Sequence, residues 1–387
     1  LWFAALAATG AAAFPTPPAL DAALRAAAPG QVIELPFSST GTIRLLNPAT
    51  NRLTVSGGTL LYSDDPETTA TTGVLYRDTL PAGMQRVYLY HVNDRTTATR
   101  FSIIVENVGA ATALVTPTRF SFPAPTTNYL HAGREGVRLF YENTVLPPAL
   151  TLAPGERGLL APALDATAVS RNQLAAAIIE VESSQPLRVA TVMVDTGVNT
   201  LTAYPNLEVA PNDGLNRQGT FPGFHRASPT APYVWTTSEG IVRLRVADFG
   251  FGASDPPAAG TDAERGGVAT ELRGNYGVTY DVTVAATNPT GQRAAVLVNP
   301  RGGNYGGYFR TTLQGEAPRA QMVPSASLVV PPTTSAGVIA LLDLPRGTRT
   351  VRLEFIPAGA SSLPIEILFV PFGDPAPLPS AWVIGGT

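Results

Sequence analysis

The sequence predicts a mainly β protein: two β-sandwich-like domains with a few short helices. Three observations carry this. Apolar residues alternate with polar ones, or run uninterrupted, over about six residues at a time, which is strand length and strand period. The runs are separated by clusters of Gly, Pro, Asn and Ser. The 36 glycines and 36 prolines follow no G-X-Y period, so they read as turns and not as collagen. The length of 387 residues corresponds to two or three domains, and a 44% hydrophobic content is enough to fill real cores.

In chain order, Leu1 to Ala13 is apolar and ends in an A-x-A pattern at Ala11 and Ala13, followed by Phe14 and a Pro-rich stretch. This reads as the remnant of a secretory signal peptide, too short to span a bilayer. Leu20, Leu24 and Ala27 repeat at helical spacing over residues 17–28, with Pro29-Gly30 as the stop. Short strands follow at 32–35, 42–45 and 53–55, then longer ones at 86–92 and 101–106, which end at Asn93-Asp94 and Asn107-Val108-Gly109. His91 closes an apolar run and is expected at a sheet rim. Residues 128–141 place Leu130, Val137 and Tyr141 on one side of a helix, although Gly133 and Gly136 weaken it. Leu150 to Glu156 reads as strand plus turn, and 177–181 pairs with 187–194 across Ser183-Ser184-Gln185-Pro186.

Residues 209–232 lie in a stretch rich in Pro, Asn and Gly and are the expected linker. Strands resume at 241–246, 280–284, 294–298, 328–330, 338–342, 351–355 and 365–370. The expected domains are therefore residues 31–208 and 233–372, preceded by an N-terminal segment over 14–30 and followed by a tail over 373–387. RFSIIVENVGAATALVTP and TYDVTVAATNPTGQRAAVLVNP share one pattern of strand, Asn, small turn, strand and Pro, which suggests a hairpin repeated in two similar sandwiches.

Composition bounds the function. Every one of the 26 basic residues is arginine, against 29 acids, for a net charge of −3. A near-neutral balance argues against nucleic acid. Without lysine there is no Schiff-base chemistry and no P-loop. Without cysteine there is no disulfide, thiolate metal site or cysteine nucleophile. Beyond the leader no stretch approaches membrane-spanning length, so no transmembrane segment is expected in the mature chain. A cysteine-free exported protein fits a bacterial route, secreted or at the cell surface.

His91, His131 and His225 are far apart and show no metal-ligand spacing. No G-x-S-x-G elbow is present. Acids cluster locally at Asp64-Asp65 with Glu67, and at Asp248, Asp255, Asp262 and Glu264 in a Gly/Pro/Ala loop. Oxygen ligands on such a loop can take calcium, so Asp248, Asp255 and Asp262 are the candidate metal set. Turn initiation is the plainer reading, because EF-hand spacing is missing. No other cofactor is expected.

The most distinctive feature is a repeated tetrapeptide, Gly274-Asn275-Tyr276-Gly277 and Gly303-Asn304-Tyr305-Gly306, with Tyr308 close by. Glycines around an exposed tyrosine let a flat sugar approach the backbone. Asn275, Tyr276, Asn304, Tyr305 and Tyr308 are therefore the candidate ligand-binding residues. The competing reading is two matched turns whose tyrosines pack over a sandwich edge.

Several phrases resemble a family. LLYSDDPETTATTGVLYRDTLPAGMQRVYLYHVND, RFSIIVENVG, GTFPGFHR, GNYGVTYDVTV and NPRGGNYGGYF are similar to segments of secreted bacterial proteins of unknown function, often labelled copper amine oxidase-like domain-containing. The resemblance spans most of residues 55–310 and implies a secreted setting. It does not imply amine oxidation. In Pro125-Thr126-Thr127-Asn128-Tyr129-Leu130, Pro stands where the quinone motif has Thr and Leu where it has an acid, and paired H-x-H ligands are missing. The expectation is a non-catalytic surface or matrix protein that binds envelope polysaccharide. The alternatives are a self-assembling surface-layer or filament subunit, and a cell-wall glycan hydrolase using dispersed carboxylates such as Asp255 or Asp262. A weaker echo, ALDAALRAAAPGQVIELP, is similar to the cap of a parallel β-helix, but no repeat follows.

Overall fold

A computed structural model describes residues 13–250 and 252–375, so the expected leader, but for Ala13, and most of the expected C-terminal tail lie outside the described residues. The chain is mainly β and forms two sandwiches, each of two sheets. In the first, a nine-stranded sheet runs in the order Leu150–Leu152, Ala113–Ser121, Leu174–Ser183, Gly83–Asn93, Thr59–Ser63, Gly219–Pro222, Ala258–Asp262, Val268–Leu272, and Thr68–Thr69 adds to Gly83–Asn93. It faces a four-stranded sheet of Arg157–Leu159, Thr99–Asn107, Leu187–Asp195 and Gly73–Leu80 across a core that includes Leu61, Leu89, Phe101, Ile103, Ile179 and Val189.

In the second sandwich, a six-stranded sheet (Val32–Glu34, Ser335–Leu342, Arg293–Pro300, Ile365–Phe372, Val242–Val246, Arg44–Leu45) faces a seven-stranded one. The latter is built on Arg319–Val323, Gly307–Leu313, Gly347–Phe355, Thr279–Asn288, His225–Ala227 and Thr54–Ser56. The outer face of the six-stranded sheet is covered by helix α1 (Pro18–Ala26), which inserts Leu20 and Leu24. Burial on both faces explains why residues 367–372 of Ile365–Phe372 read as an unbroken apolar run instead of an alternating one.

The sheets do not respect the expected boundary near residue 210. The strands Val32–Glu34, Arg44–Leu45 and Thr54–Ser56, expected in the first domain, pair within the second sandwich. Gly219–Pro222 and the hairpin Ala258–Asp262/Val268–Leu272 extend the first sandwich. The expected linker is thus partly strand, with Gly219–Pro222 in one sandwich and His225–Ala227 in the other.

One continuous apolar cluster joins the two sandwiches. It runs from Tyr62, Tyr88, Tyr90 and Ile178 through Ala132, Val137 and Phe140 of helix α2 (Tyr129–Glu142) to Tyr280, Phe309 and Phe355. The helix glycines have their reason here. A Cβ on Gly133 would lie 2.0 Å from the Gly359 carbonyl oxygen, so only glycine permits this helix to approach the second sandwich. Asn128, from the Asn-Tyr pair of the quinone-like segment, is the N-cap of α2 and accepts from the His131 amide at 3.1 Å.

The repeated strand–Asn–turn–strand pattern is real, but it is not a hairpin. Thr99–Asn107 and Ala113–Ser121 lie in different sheets, as do Thr279–Asn288 and Arg293–Pro300, so each segment arches across a sandwich. The asparagines hold the arches in the same way. Asn107 Nδ2 donates to the Ala111 and Leu152 carbonyls (2.8 and 2.9 Å), and its Oδ1 accepts from the Gly109 amide (2.9 Å). Asn288 Nδ2 donates to Gln292 and Leu344 (2.8 and 2.5 Å), and its Oδ1 accepts from Gly291 (3.0 Å). Asn93, where Gly83–Asn93 crosses to Thr99–Asn107, repeats the device on Thr97 and Val169. Leu174–Ser183 and Leu187–Asp195, expected as a pair, also belong to opposite sheets. Residues 328–330 form no strand and contribute only a bridge between Val330 and Tyr305.

Candidate functional site

The repeated tetrapeptides are packing devices. Tyr305 is fully buried and Tyr308 is 3% exposed, so neither offers a face to a ligand. Tyr308 Oη donates to Glu142 of α2 at 2.6 Å. Asn275 is also buried: its Oδ1 accepts from the Ala258 amide (2.9 Å), and its Nδ2 donates to Tyr280 Oη (2.9 Å). Gly274 admits the Tyr276 ring, since a Cβ there would lie 2.5 Å from Tyr276 Cε2, and Gly277 gives Tyr88 its space. The exposed stacking platform expected from these loops is therefore not formed. Asn304 is exposed, and Tyr276 alone of the group is half-buried and lines a cleft.

The candidate calcium set is consumed by its own chain. Asp248 accepts from the Asp255 and Ser254 amides at 2.6 and 3.0 Å. Asp255 pairs with Arg226 and accepts from Ala247 N and Tyr280 Oη at 2.7 and 2.6 Å. Asp262 accepts from the Glu264 amide at 3.0 Å and faces Arg265 Nε at 3.4 Å. Among the described residues, no cluster of three or more His, Asp or Glu side chains is arranged to hold a metal. These acids initiate turns and pair with arginine, so neither Asp255 nor Asp262 is free for hydrolytic chemistry.

His91 is fully buried, not at a rim. Its Nδ1 faces the Pro66 carbonyl at 2.7 Å and its Nε2 the Ser63 hydroxyl at 2.7 Å; Ser63 also contacts Thr191 at 2.7 Å. A carbonyl can only accept, so Nδ1 carries the proton and Nε2 accepts from Ser63. Burial lowers the His91 pKa to about 4, so the ring is neutral. Both partners are sealed from solvent, so this serine–histidine pair is structural.

The residues that remain available converge elsewhere. A cleft of about 720 Å³ opens beside the edge hairpin Ala258–Asp262/Val268–Leu272. Its lining includes Tyr62, Asp64, Asn216, Arg217, Glu271 and Tyr276. The sheet fixes Tyr62, which stacks on Tyr88 with ring centroids 5.0 Å apart and donates to Asp64 Oδ2 at 3.2 Å. Tyr276 is fixed by its bond to the Ser361 carbonyl at 2.6 Å. Arg217 is held by Asp213 and by Glu67 at 3.2 Å, with its Nε 3.8 Å from Asp64 Oδ2. Asn216 sits in the left-handed region at φ 51°.

Four buried polar atoms in and beside the cleft lack a hydrogen-bond partner: Asp64 Oδ1, Asn216 Oδ1, Arg217 Nε and Gln218 Oε1. Buried polar groups are normally satisfied, so this concentration marks a place built to be completed by something else. Burial raises the Asp64 pKa well above the usual carboxylate range, Glu67 adds to the rise, and Arg217 opposes it. Burial likewise raises the Tyr62 and Tyr276 phenols, which stay protonated and keep their bonds to Asp64 and the Ser361 carbonyl, so both offer ring faces to the cleft. The arrangement offers hydrogen-bond acceptors and a guanidinium N–H beside two aromatic rings, which suits a polyhydroxylated ligand. The sequence pointed to Asp64, Glu67 and Tyr276. It did not point to Asn216 and Arg217, which lie in the segment read as linker; the signal there is the run Asn212-Asp213-Gly214-Leu215-Asn216-Arg217, in which an arginine follows turn formers that also include an acid.

No protein-family model matches the chain, and no curated protein matches it. Weak likenesses to solved structures include the secreted serine protease VesC from Vibrio cholerae (10% identity, 79% of this chain and 50% of that one, TM-score 0.16). Another is the insecticidal delta-endotoxin Cry8Ea1 from Bacillus thuringiensis (9% identity, 71% and 53%, TM-score 0.19). A third is an oxalate decarboxylase from Lactobacillus farciminis (10% identity, 85% and 86%, TM-score 0.15). The chain spans about half the length of the first two. At these TM-scores none carries an argument about fold or function.

Proposed function

We propose that this is a non-catalytic, exported bacterial surface or matrix protein that binds envelope polysaccharide, and that the Asp64 cleft is its contact site. The observation that carries the reading is the set of buried acceptors, with the Arg217 Nε donor, that have no hydrogen-bond partner beside Tyr62 and Tyr276. A sugar hydroxyl both donates and accepts. It can therefore satisfy Asp64 Oδ1 and Asn216 Oδ1 while receiving the Arg217 N–H, and a sugar ring face can rest on tyrosine. The apolar leader-like segment and the resemblance to secreted bacterial proteins support the exported setting. The test is co-sedimentation of the full chain with insoluble cell-wall glycan. Saturable pelleting that Tyr276→Ala weakens at least tenfold supports the reading; no pelleting overturns it.

A second reading, self-assembly, is favoured by one observation. Val268–Leu272 is the last strand of its sheet and exposes Val268, so it presents an edge for strand addition. Ordered polymers in electron micrographs of the purified protein would establish that reading, and a monodisperse monomer would dismiss it.

A further inference from the structure

A second cavity, of about 520 Å³, lies in the groove between the two sandwiches, with Arg86, Arg119, Tyr141 and Glu180 on one side and Asp281, Arg352 and Glu354 on the other. Its charges pair off with one exception. Arg86 is buried and pairs with Glu180 at 2.5 Å while donating to the Gly277 carbonyl at 2.7 Å, so it ties one sandwich to the other. Arg352 forks onto Asp281 at 2.7 Å through two nitrogens and also reaches Glu354 at 3.1 Å. Arg310, behind Tyr141, takes Glu354 at 3.7 Å. The three carboxylates that line the groove are thus all engaged, Glu180 by Arg86, Asp281 by Arg352 and Glu354 by Arg352 and Arg310, and Arg119 is left without one.

Arg119 is the direct cross-strand neighbour of Glu180, the acid that would ordinarily neutralise it. Both Glu180 oxygens are already taken, Oε2 by Arg86 and Oε1 by Thr118 at 3.1 Å. Arg119 is instead held against aromatic rings, 5.6 Å from the Phe140 centroid and 5.9 Å from that of Tyr141, and among the described residues it has no hydrogen-bond or ion-pair partner. The Tyr141 hydroxyl is buried and also unpartnered. A positioned guanidinium fork with no carboxylate of its own, beside an unused phenol O–H, selects a planar monoanion that carries a polar frame.

We infer that this groove binds the carboxylate of a uronic acid residue, so that the polysaccharide recognised is an acidic one. This rests on the polysaccharide-binding reading but uses a site separate from the Asp64 cleft. Arg119 takes the carboxylate in bidentate fashion, Tyr141 donates to it, and the groove volume accommodates one or two sugar rings.

The test is calorimetric titration of the full chain with trigalacturonate and with its fully methyl-esterified form. The expected result is at least tenfold weaker binding of the ester. Arg119→Gln, an exposed position that leaves the core untouched, should lose at least tenfold for the acid and little for the ester. Tyr141→Phe should lose severalfold. Raising the salt concentration should weaken the acid and not the ester. Equal binding of acid and ester, or unchanged binding by Arg119→Gln, overturns the inference. If insoluble glycan still pellets the protein in any of these cases, the binding function stands and only the groove assignment falls. If trigalacturonate binds through Arg119 while no cell-wall glycan pellets the protein, the groove assignment stands and the envelope-binding role falls.

Discussion

Replacing either of the two α2 glycines by alanine should have opposite effects, although the two positions are one turn apart. In an exposed helix interior, Gly→Ala gains about 1 kcal/mol from backbone entropy. At Gly136 nothing opposes that gain, because a Cβ would meet its nearest neighbour, Pro123 Cγ, at 3.8 Å, an ordinary contact. Gly136→Ala should therefore stabilise by about 0.5–1 kcal/mol. At Gly133 the Cβ would lie 2.0 Å from the Gly359 oxygen, 2.7 Å from its carbonyl carbon and 2.8 Å from its nitrogen. More than an ångström of backbone movement is needed. Gly359 cannot retreat, since its own Cβ position is 2.7 Å from Tyr90 Cε2 and 2.8 Å from Tyr88 Oη. Overpacking of this kind costs about 1–3 kcal/mol or more, and a contact between two backbones belongs at the upper end. After the helix gain, Gly133→Ala should lose about 2 kcal/mol. Urea unfolding of the two variants and the parent checks this. Equal stabilisation by both alanines would refute the claim that α2 is lodged against the second sandwich.

The buried His91 makes stability pH-dependent. Between pH 6.5 and about 4 the unfolded chain binds the His91 proton and the folded chain does not, so this residue's contribution should fall by about 3 kcal/mol as pH is lowered through that window, then level off. His91→Gln should flatten that slope in unfolding measured at a series of pH values. Asp64 acts in the other sense: its raised pKa penalises the folded state above the ordinary carboxylate range. Asp64→Asn should therefore raise the melting temperature at pH 7, with the gain fading toward pH 4. Asn107→Ala removes two donated hydrogen bonds and one accepted bond inside an arch, which should cost about 2–4 kcal/mol in denaturant unfolding. Asn288→Ala should cost a similar amount, because the second arch is built alike.

Many strand positions and both longer helices are legible in the sequence because periodicity and caps are local: the spacing predicts a helix over 128–141, and Tyr129–Glu142 is helical. Pairing was not legible. A strand, an asparagine, a small turn and another strand look the same whether the turn closes a hairpin or arches to the opposite sheet, and at Asn107 and Asn288 the difference lies in carbonyls from distant segments, Leu152 and Leu344. Arg44–Leu45 and Thr54–Ser56 are too short for their own pattern to assign them to a sandwich; partners around residues 225 and 242 do so. The site was half legible. Clustered acids and a glycine-flanked tyrosine flagged Asp64 and Tyr276, but burial is a property of the assembled sheets, and it removed Tyr305, Tyr308 and Asn275 from the surface. Arg119 gave no sign in sequence, because its significance depends on Glu180 being occupied by Arg86 across the sheet.

The most direct test of the central claim is the binding isotherm of the Asp64→Asn variant on insoluble cell-wall glycan, measured beside the parent at pH 7. The amide keeps the shape of the side chain and relieves a buried carboxylate, so the variant should be at least as stable as the parent. It also replaces one of the two unpartnered cleft acceptors with a neutral amide. The account predicts a more stable protein that pellets at least tenfold less well. Parent-like pelleting by a stably folded Asp64→Asn variant would contradict it.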